Sequence, residues 1–152
     1  MRHRSRYIVA LGALAGSSLV AQEARPARTS LQVVLVGLRS ARGQVLACAT
    51  RRPEAFPDCQ RDPTAVARRM PANAAAVIDF GFLPEGRYAV AVIHDENGNG
   101  RLDRALGLIP REGFGFSRDA PIRAGPPHFA SAAFHLGGAA PQRMAIRLRY
   151  LL

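Results

Sequence analysis

Residues 87–94 constrain the fold more than any other part of this sequence. They form a run of apolar and β-branched residues between a Pro84/Gly86 turn and a polar loop, and such a run predicts a strand. Because side chains alternate along a strand, both faces of this one are largely apolar. One face carries Tyr88, Val90, Val92 and His94, and the other carries Ala89, Ala91 and Ile93. We therefore expect a central strand that is covered on both sides.

Other segments predict further strands and one short helix. Residues 143–150 alternate apolar residues with Arg and Ala, which is typical of a strand with one buried face and one wet face. The remaining strand candidates are residues 31–38, 44–50, 74–80 and 131–136, and the first two are expected to form a hairpin. Residues 62–70 predict a short helix, with Asp62 as its N-cap and Pro63 at its first position, and irregular chain is the alternative.

Short strands between Gly and Pro turns, without a long amphipathic helix or βαβ alternation, predict an all-β fold. We expect a single antiparallel β-sandwich of about seven strands over residues 31–152. The chain length of 152 residues fits one domain. Gly and Phe alternate over residues 113–116 and are followed by Ser117, so Phe114 or Phe116 is expected to cover the sandwich beside the polar loop.

The N-terminal residues have the pattern of a secretory signal peptide. A basic segment precedes an uncharged apolar stretch over residues 7–20, and small residues stand at Ala21 and Ala24. We expect a signal peptide over residues 1–21, with cleavage after Ala24 as the alternative, and then a flexible leader over residues 22–30. The apolar stretch is shorter than the roughly 20 residues that cross a bilayer, and we expect no transmembrane segment in the mature chain. Export to the periplasm or the extracellular space is predicted.

The charged residues are unbalanced. Removal of Arg2, Arg4 and Arg6 with the signal peptide leaves 18 of the 21 basic residues against 11 acidic ones, a net charge of +7, and every basic residue is Arg. Such a surface suits an anionic polymer or nucleic acid, but scattered arginines without interleaved aromatic residues argue against nucleic acid. The expected partner is an envelope protein or an anionic polymer bound through Arg147 and Arg149. A solvated basic surface is the simpler interpretation.

The sequence contains two cysteines, Cys48 and Cys59. In an oxidising compartment an isolated pair usually forms a disulfide. Closing a loop of this length contributes up to about 3 kcal/mol in the chain-entropy model. A redox or metal-binding pair is the alternative, although the spacing is far from Cys-x-x-Cys.

Residues 95–103 follow the central strand and have the ligand spacing of a calcium loop. The candidate ligands are Asp95, Asn97, Asn99, the backbone carbonyl of Arg101, and Asp103, at positions 1, 3, 5, 7 and 9. Gly100 at position 6 permits the sharp turn that lets these oxygens converge. The sequence therefore predicts calcium as a weakly bound cofactor.

The loop departs from the helix-loop-helix calcium site. Position 12 is Leu106 instead of a bidentate Glu, so the expected calcium affinity is at most of order about 0.1–1 mM. The alternative is a polar connection in which Asp and Asn side chains cap their own backbone, with Gly98 and Gly100 at positive φ. The sequence leaves both interpretations open.

The sequence shows no coherent set of nucleophile, base and orienting residue. The leading hypothesis is a non-enzymatic binding or structural module of the cell envelope. The alternative is a small secreted hydrolase or carbohydrate-processing enzyme that uses Asp95, Asp103 and Glu112. That alternative requires the three carboxylates to converge in a concave pocket.

Three segments resemble, in order, the signature of a bacterial family known as domain of unknown function 2141. They are GRYAVAVIHDENGNGRLD (residues 86–103), GLIPREGFGFS (residues 107–117) and PPHFASAAF (residues 126–134). The resemblance covers most of the mature chain and implies an exported protein of uncharacterised function. More loosely, residues 82–92 look like the turn and strand of transthyretin-like and carboxypeptidase-regulatory-like sandwiches. That likeness implies an immunoglobulin-like or transthyretin-like fold and no function.

Overall fold

The computed structural model describes residues 27–123 and 125–152. The predicted signal peptide, residues 1–21, and residues 22–26 of the predicted leader lie outside this part of the chain. Strands dominate the described residues, which confirms the all-β prediction. Among these residues, no helix has both the length and the apolar character needed to cross a bilayer.

Ten strands are present in the described chain. They are β1 (Arg28–Val36), β2 (Gln44–Thr50), β3 (Val66–Pro71), β4 (Val77–Pro84), β5 (Gly86–Asp95), β6 (Arg104–Ala105), β7 (Ile109–Pro110), β8 (Gly113–Phe116), β9 (Phe134–Leu136) and β10 (Gln142–Arg147). A four-residue helix, α1, covers Phe129–Ala132. Short 3₁₀ turns cover Pro53–Ala55, Ala72–Ala74 and Ser117–Asp119. The prediction of about seven strands is too low, because β6, β7 and β9 are too short for a period-two pattern to reveal.

The strands form three sheets. The first has the order β10-β1-β4, and the second has the order β3-β2-β5-β8 with β9 also paired to β5. β6 and β7 form a separate two-stranded ribbon. All pairs are antiparallel except β1 with β10, which is parallel and departs from the predicted antiparallel arrangement. All eight remaining strands, β2 to β9, lie between β1 and β10 in the chain. No tight hairpin joins β1 to β10, so the two strands can pair in parallel.

The predicted hairpin of β1 with β2 is wrong, because the two strands lie in different sheets. The connection between them runs from one sheet to the other and contains Gly37 and Gly43, both with positive φ. A Cβ atom at Gly43 would overlap the backbone of Asp95 and Glu96, so only glycine permits this approach. The glycines that suggested a hairpin turn instead allow a crossover.

The predicted helix over residues 62–70 is also wrong. Residues 66–71 form β3, an edge strand that pairs with β2 along its whole length. Asp62 is 5% exposed and accepts hydrogen bonds from the Thr50 hydroxyl and from the N–H and hydroxyl of Thr64. Burial alone would raise the pKa of Asp62, but these hydrogen bonds outweigh it and lower that pKa. Asp62 therefore caps a local turn against β2 instead of starting a helix.

β1 begins three residues earlier than the sequence suggested. Arg28, Thr29 and Ser30 pair with the end of β4, although they were assigned to a flexible leader. Thr29 is buried and donates its hydroxyl to the Gly138 carbonyl at 2.8 Å. The sequence pattern does not reveal these three strand residues, because the buried side chain among them is a hydrogen-bonded threonine and not an apolar residue.

The two faces of β5 contact two different apolar clusters, as predicted. One face carries Tyr88, Val90 and Val92, which pack with residues of both main sheets in the larger cluster. The opposite face, with Ala89 and Ala91, joins a smaller cluster that covers the outer side of the five-stranded sheet. That smaller cluster includes Phe114, Phe116, Phe129 and Ala132. Both phenylalanines of β8 are buried, which confirms the expectation for the Gly/Phe stretch.

Candidate functional site

The Asp95 loop, defined as residues 95–103, starts at the buried end of β5. Asp95 has no exposed surface. Its Oδ2 accepts a hydrogen bond from Gln44 Nε2 at 2.6 Å and one from the Gly100 N–H at 2.7 Å. Its Oδ1 accepts the Asn99 N–H at 3.1 Å. Both oxygens of this carboxylate therefore fix the loop to β2 and to its own backbone.

The two asparagines of the loop face its second carboxylate. Asn97 Nδ2 and Asn99 Nδ2 donate to Asp103 Oδ2 at 2.6 and 2.9 Å. Hydrogen bonds from Asn99 and Asn97 lower the pKa of Asp103. The asparagine oxygens accept backbone N–H groups two residues further on, that of Asn99 and that of Arg101, each at 3.0 Å. These are Asx turns, which shape a chain without an outside ligand.

Glu112 joins the two ends of the loop from outside it. Its carboxylate is 5% exposed. Oε1 accepts the Glu96 N–H and Oε2 accepts the Asp103 N–H, both at 3.0 Å. The Arg111 N–H donates to the Asp103 carbonyl at 2.9 Å. Glu112 thus folds back on the loop and satisfies two partly buried backbone donors.

Glu96 points away from the loop interior and contacts the β1–β2 connection. Arg39 donates to its Oε2 through both Nε and Nη2, and the Ser40 hydroxyl donates to Oε1 at 2.8 Å. The Glu96 side chain is 10% exposed, and that of Arg39 is 39% exposed. The hydrogen bond from Arg39, assisted by Ser40, lowers the pKa of Glu96 to about 2. This pair fastens the outer side of the loop.

The hydrogen bonds of the Asp95 loop match the self-capped connection that the sequence left open. Gly98 and Gly100 have φ values of 74° and 84°, as that interpretation requires. A calcium ion would need the oxygens to turn towards a common centre, whereas amide nitrogens now face Asp103. Within residues 27–123 and 125–152, no group of three or more His, Cys, Asp or Glu could hold a metal ion. Calcium binding by this loop stays a prediction.

A cleft of about 560 Å³ lies over the outer face of the five-stranded sheet. Its floor is formed by β3, β2, β5 and β8. Its walls come from the Asp95 loop, the loop between Cys48 and Cys59, and Pro126. The lining residues are Leu46, Ala47, Cys48, Pro57, Asp58, Gln60, Ala67, Arg68, Arg69, Ala91, Val92, Ile93, Gly100, Arg101, Leu102, Arg104, Phe114, Phe116 and Pro126. This volume is typical of a site for a small molecule.

The register of the strands explains why the floor is concave and apolar. Ala67, Cys48, Ala91 and Phe116 lie side by side in one cross-strand row, and Arg69, Leu46, Ile93 and Phe114 lie in the next. Three neighbouring positions of the first row are small residues. Large side chains in the adjacent row and in the loops rise above them, which leaves a depression.

The disulfide holds one wall of the cleft. Cys48 and Cys59 are bonded with a Cα–Cα distance of 6.4 Å, which confirms the predicted bridge. Cys48 belongs to the floor, and the loop that the bridge closes supplies Pro57, Asp58 and Gln60 to the wall. The bridge thus fixes this wall to a central strand.

The opposite wall is positively charged. Arg69, Arg101 and Arg104 are exposed and line the cleft. Arg101 lies 3.7 Å from Asp103, and the only acidic residue among those that line the cleft is Asp58. Arg68 contributes mainly structure, because its guanidinium donates to the carbonyl oxygens of residues 79 and 80. The cleft therefore combines an apolar floor with an excess of cationic groups.

The predicted carboxylates of an enzyme do not line this cleft. Asp95 and Glu112 are buried and accept N–H groups, and Asp103 faces the two asparagines. His94 is fully buried between Tyr150 Oη at 2.7 Å and the Arg42 carbonyl at 2.9 Å, as its place on the core side predicted. These groups stabilise the fold around the site.

The two arginines that were predicted to bind an anionic polymer have different surroundings. Arg147 is exposed on β10, whereas Arg149 Nη2 lies 2.7 Å from Asp119 Oδ2. The Arg149 side chain is 32% exposed. The pair does not form a single free cationic patch.

Sequence reasoning found the Asp95 loop but missed the cleft beside it. The missing signal was β3, because residues 66–71 were assigned to a helix. With β3 as an edge strand, the alternation of Ala67 and Arg69 with half-buried neighbours would have placed both on the outer face of the sheet. The cleft also requires loops from distant parts of the chain, which no local pattern reveals.

A comparison with protein families matches residues 33–144 to the family described as an uncharacterized protein conserved in bacteria (DUF2141). The match includes the Asp95 loop, the disulfide and the strands of the cleft floor. No curated protein and no solved structure matches the chain. Since the family model spans most of the sequence, the chain belongs to the DUF2141 family of bacterial proteins.

Proposed function

We propose that this protein is an exported, non-enzymatic binding module of the cell envelope, built as a β-sandwich. Its ligand site is the cleft over the outer face of the five-stranded sheet. The ligand is a small amphipathic anion, whose apolar part lies on the floor and whose acidic group faces the arginines. The observation that carries this proposal is the combination of a small-residue floor with a cationic wall.

The depth and chemistry of the cleft support this ligand class. The exposed apolar atoms of the floor favour contact with hydrocarbon, because burial of apolar surface is favourable in proportion to its area. The side chains of Arg69 and Arg104 are exposed and line the cleft, and neither guanidinium forms a hydrogen bond or ion pair within residues 27–123 and 125–152, so their charges are available. Guanidinium groups bind carboxylates and phosphates through paired hydrogen bonds.

Export remains part of the proposal and rests on the N-terminal sequence. An extracytoplasmic location agrees with the Cys48–Cys59 bridge, because disulfides persist in oxidising compartments. The calcium prediction for the Asp95 loop rests on the spacing of the oxygen-bearing residues and is not part of this proposal. A hydrolase is less favoured, because Asp95 and Glu112 are buried and satisfied by N–H donors.

Calorimetric titration with decanoate tests the binding site. Decanoate carries an apolar chain and one carboxylate, and decyltrimethylammonium carries the same chain with the opposite charge. We expect saturable binding of decanoate and at least about tenfold weaker binding of the cation, because the walls carry excess positive charge. Equal affinities for both probes would show that the arginines do not select the ligand.

A pair of matched variants locates the binding. Ala67→Phe places a ring over the floor at an exposed position of β3, so it should fill the cleft with little loss of stability. Ala145→Phe makes the same change at an exposed position of β10, in the other sheet. Decanoate binding should fall at least about tenfold in the first variant and stay unchanged in the second. Equal binding by both variants would remove the cleft as the site.

A further inference from the structure

The hairpin formed by β6 and β7, residues 104–110, has an apolar tip that faces solvent. Leu106 is 93% exposed, Leu108 is 81% exposed, and Ile109 is 42% exposed. Single exposed apolar residues are common on protein surfaces, but three within four residues at the tip of one hairpin form a contact surface. Contacts within the described chain do not explain why these residues are apolar.

The conformation of Leu106 makes its identity more unusual. Leu106 has φ 51° and is followed by Gly107 with φ 71°, and the Leu108 N–H donates to the Ala105 carbonyl at 3.1 Å. Two central residues with positive φ are typical of turns that prefer Asn, Asp or Gly. A leucine in this region is strained, because its Cβ is close to the following carbonyl. Local folding therefore opposes leucine at the one position where leucine is most exposed.

The base of the hairpin is firmly held. The Arg111 N–H donates to the Asp103 carbonyl, and Glu112 accepts the Asp103 N–H. The tip is thus attached to the Asp95 loop, in which hydrogen bonds fix the backbone at several points. A rigid base presents the leucines at a constant position, so their contact with a surface costs little ordering entropy.

The charges around the tip are mainly positive. Arg101, Arg104 and Arg111 flank the hairpin and are exposed. Of the acidic groups nearby in the chain, Glu112 is buried and Asp103 faces asparagine amides and Arg101. Apolar residues at a tip with arginines behind them suit a surface that is apolar inside and anionic outside.

We propose that the tip of the β6–β7 hairpin inserts into the interfacial layer of a lipid bilayer with anionic headgroups. Leu106, Leu108 and Ile109 enter the acyl region, and the arginines at the base contact the headgroups. This contact places the nearby cleft at the membrane surface. It requires no ligand in the cleft, so it stands independently of the proposed function.

Co-sedimentation with lipid vesicles tests this proposal. The purified mature protein is mixed with vesicles of phosphatidylcholine alone, or of equal parts phosphatidylcholine and phosphatidylglycerol. We expect binding to the anionic vesicles, weaker binding to the neutral ones, and loss of binding as salt screens the arginines. Absence of the protein from both vesicle pellets would overturn the proposal.

The double variant Leu106→Asn/Leu108→Ser tests the role of the tip. Asparagine tolerates positive φ, so this variant should fold at least as well as the wild type. Vesicle binding should fall by at least about tenfold per leucine lost, in line with the transfer free energy of that side chain. The control is Phe82→Ser, which removes an exposed ring, 66% accessible, from β4.

Two results would contradict the membrane contact. The first is equal vesicle binding by the wild type and the double variant, and the second is an equal loss in Phe82→Ser. Sedimentation velocity supplies a further check. Self-association that disappears in the double variant, without vesicle binding by the wild type, would assign the tip to a second copy of the chain and overturn the proposal.

Discussion

The Asp95 loop and the β6–β7 hairpin are consecutive in the chain but use their side chains in opposite ways. In the loop, polar side chains turn inward and bond to the backbone of the loop itself. In the hairpin, apolar side chains turn outward into solvent. The segment with the spacing of a ligand site uses its polar side chains to stabilise its own backbone. The hairpin, for which the sequence predicted no role, presents apolar residues that make few contacts within the described chain.

This difference separates scaffold from contact surface. The loop supplies Arg101 and Leu102 to the wall of the cleft and anchors the hairpin through Asp103. Arg104 of the hairpin also lines the cleft. Asp and Asn side chains with the spacing of calcium ligands can therefore support a site without contacting its ligand. Substitutions that remove hydrogen bonds of the loop should lower stability, and substitutions at the exposed hairpin tip should not.

Glu112→Ala is expected to have the largest effect. It leaves the Glu96 and Asp103 N–H groups without their shared acceptor, and buried unsatisfied donors are costly. We expect a loss of about 3 kcal/mol in the free energy of unfolding, measured by urea denaturation. Glu85→Ala is a control at the opposite end of β5, where Glu85 accepts the exposed Gly138 N–H at 2.8 Å and the Thr29 hydroxyl at 3.5 Å. Similar losses in both variants would mean that the two hydrogen bonds accepted by Glu112 have no special role.

Glu96→Gln should have a smaller effect that depends on pH. Because the folded protein lowers the pKa of Glu96 from 4.5 to about 2, the ion pair with Arg39 stabilises the fold at neutral pH. This stabilisation is complete above pH 4.5 and disappears as the pH falls towards 2. The variant should lose about 1–2 kcal/mol at neutral pH, since Arg39 is partly exposed and solvent screens the pair. A deficit that persists unchanged under acid conditions would contradict this assignment.

Leu106→Asn should change stability in the favourable direction. Asparagine relieves the strain of positive φ at the hairpin tip, so we expect a gain of about 0.5–1 kcal/mol in the free energy of unfolding. The measurement is a urea melt beside Leu108→Asn, a change at a neighbouring exposed leucine without positive φ. A loss of stability in Leu106→Asn would show that the leucine contributes to the fold itself.

Calcium should have the smallest effect on the folded protein. The self-capped hydrogen bonds already fix the Asp95 loop, so we expect no change in Tm between millimolar calcium and EDTA. Ligands that bind the folded state raise its stability according to their concentration relative to Kd. A rise in Tm with calcium that Asp103→Asn abolishes would instead support the calcium site that the ligand spacing predicted.

The sequence predicted the parts of this fold that local patterns determine. The strand β5 was recognised from its β-branched run, and β10 from its alternating arginines. The bridge of Cys48 with Cys59 followed from their isolation as a pair. In each case one short segment carries the whole signal.

The parts that depend on distant contacts were not predicted. The residues before β3 resemble the start of a helix, because Asp62 and Pro63 suit a helix N-terminus. Residues 66–71 instead pair with the edge of β2 as a strand. The parallel pairing of β1 with β10 joins opposite ends of the domain. The role of Glu112 was not predicted either, because this residue lies outside the calcium spacing. Tertiary contacts decided all of these features.

Chemical-shift mapping of ¹⁵N-labelled protein with decanoate tests the central claim most directly. The claim is that the cleft binds an amphipathic anion and that the Asp and Asn side chains of the Asp95 loop only support its wall. We predict shifts for the amides of Cys48, Ala67, Ala91 and Leu102, which line the cleft. The amides of Asn97 and Asn99 should remain unchanged. Shifts confined to the asparagines, or no shifts at saturating decanoate, would contradict the account.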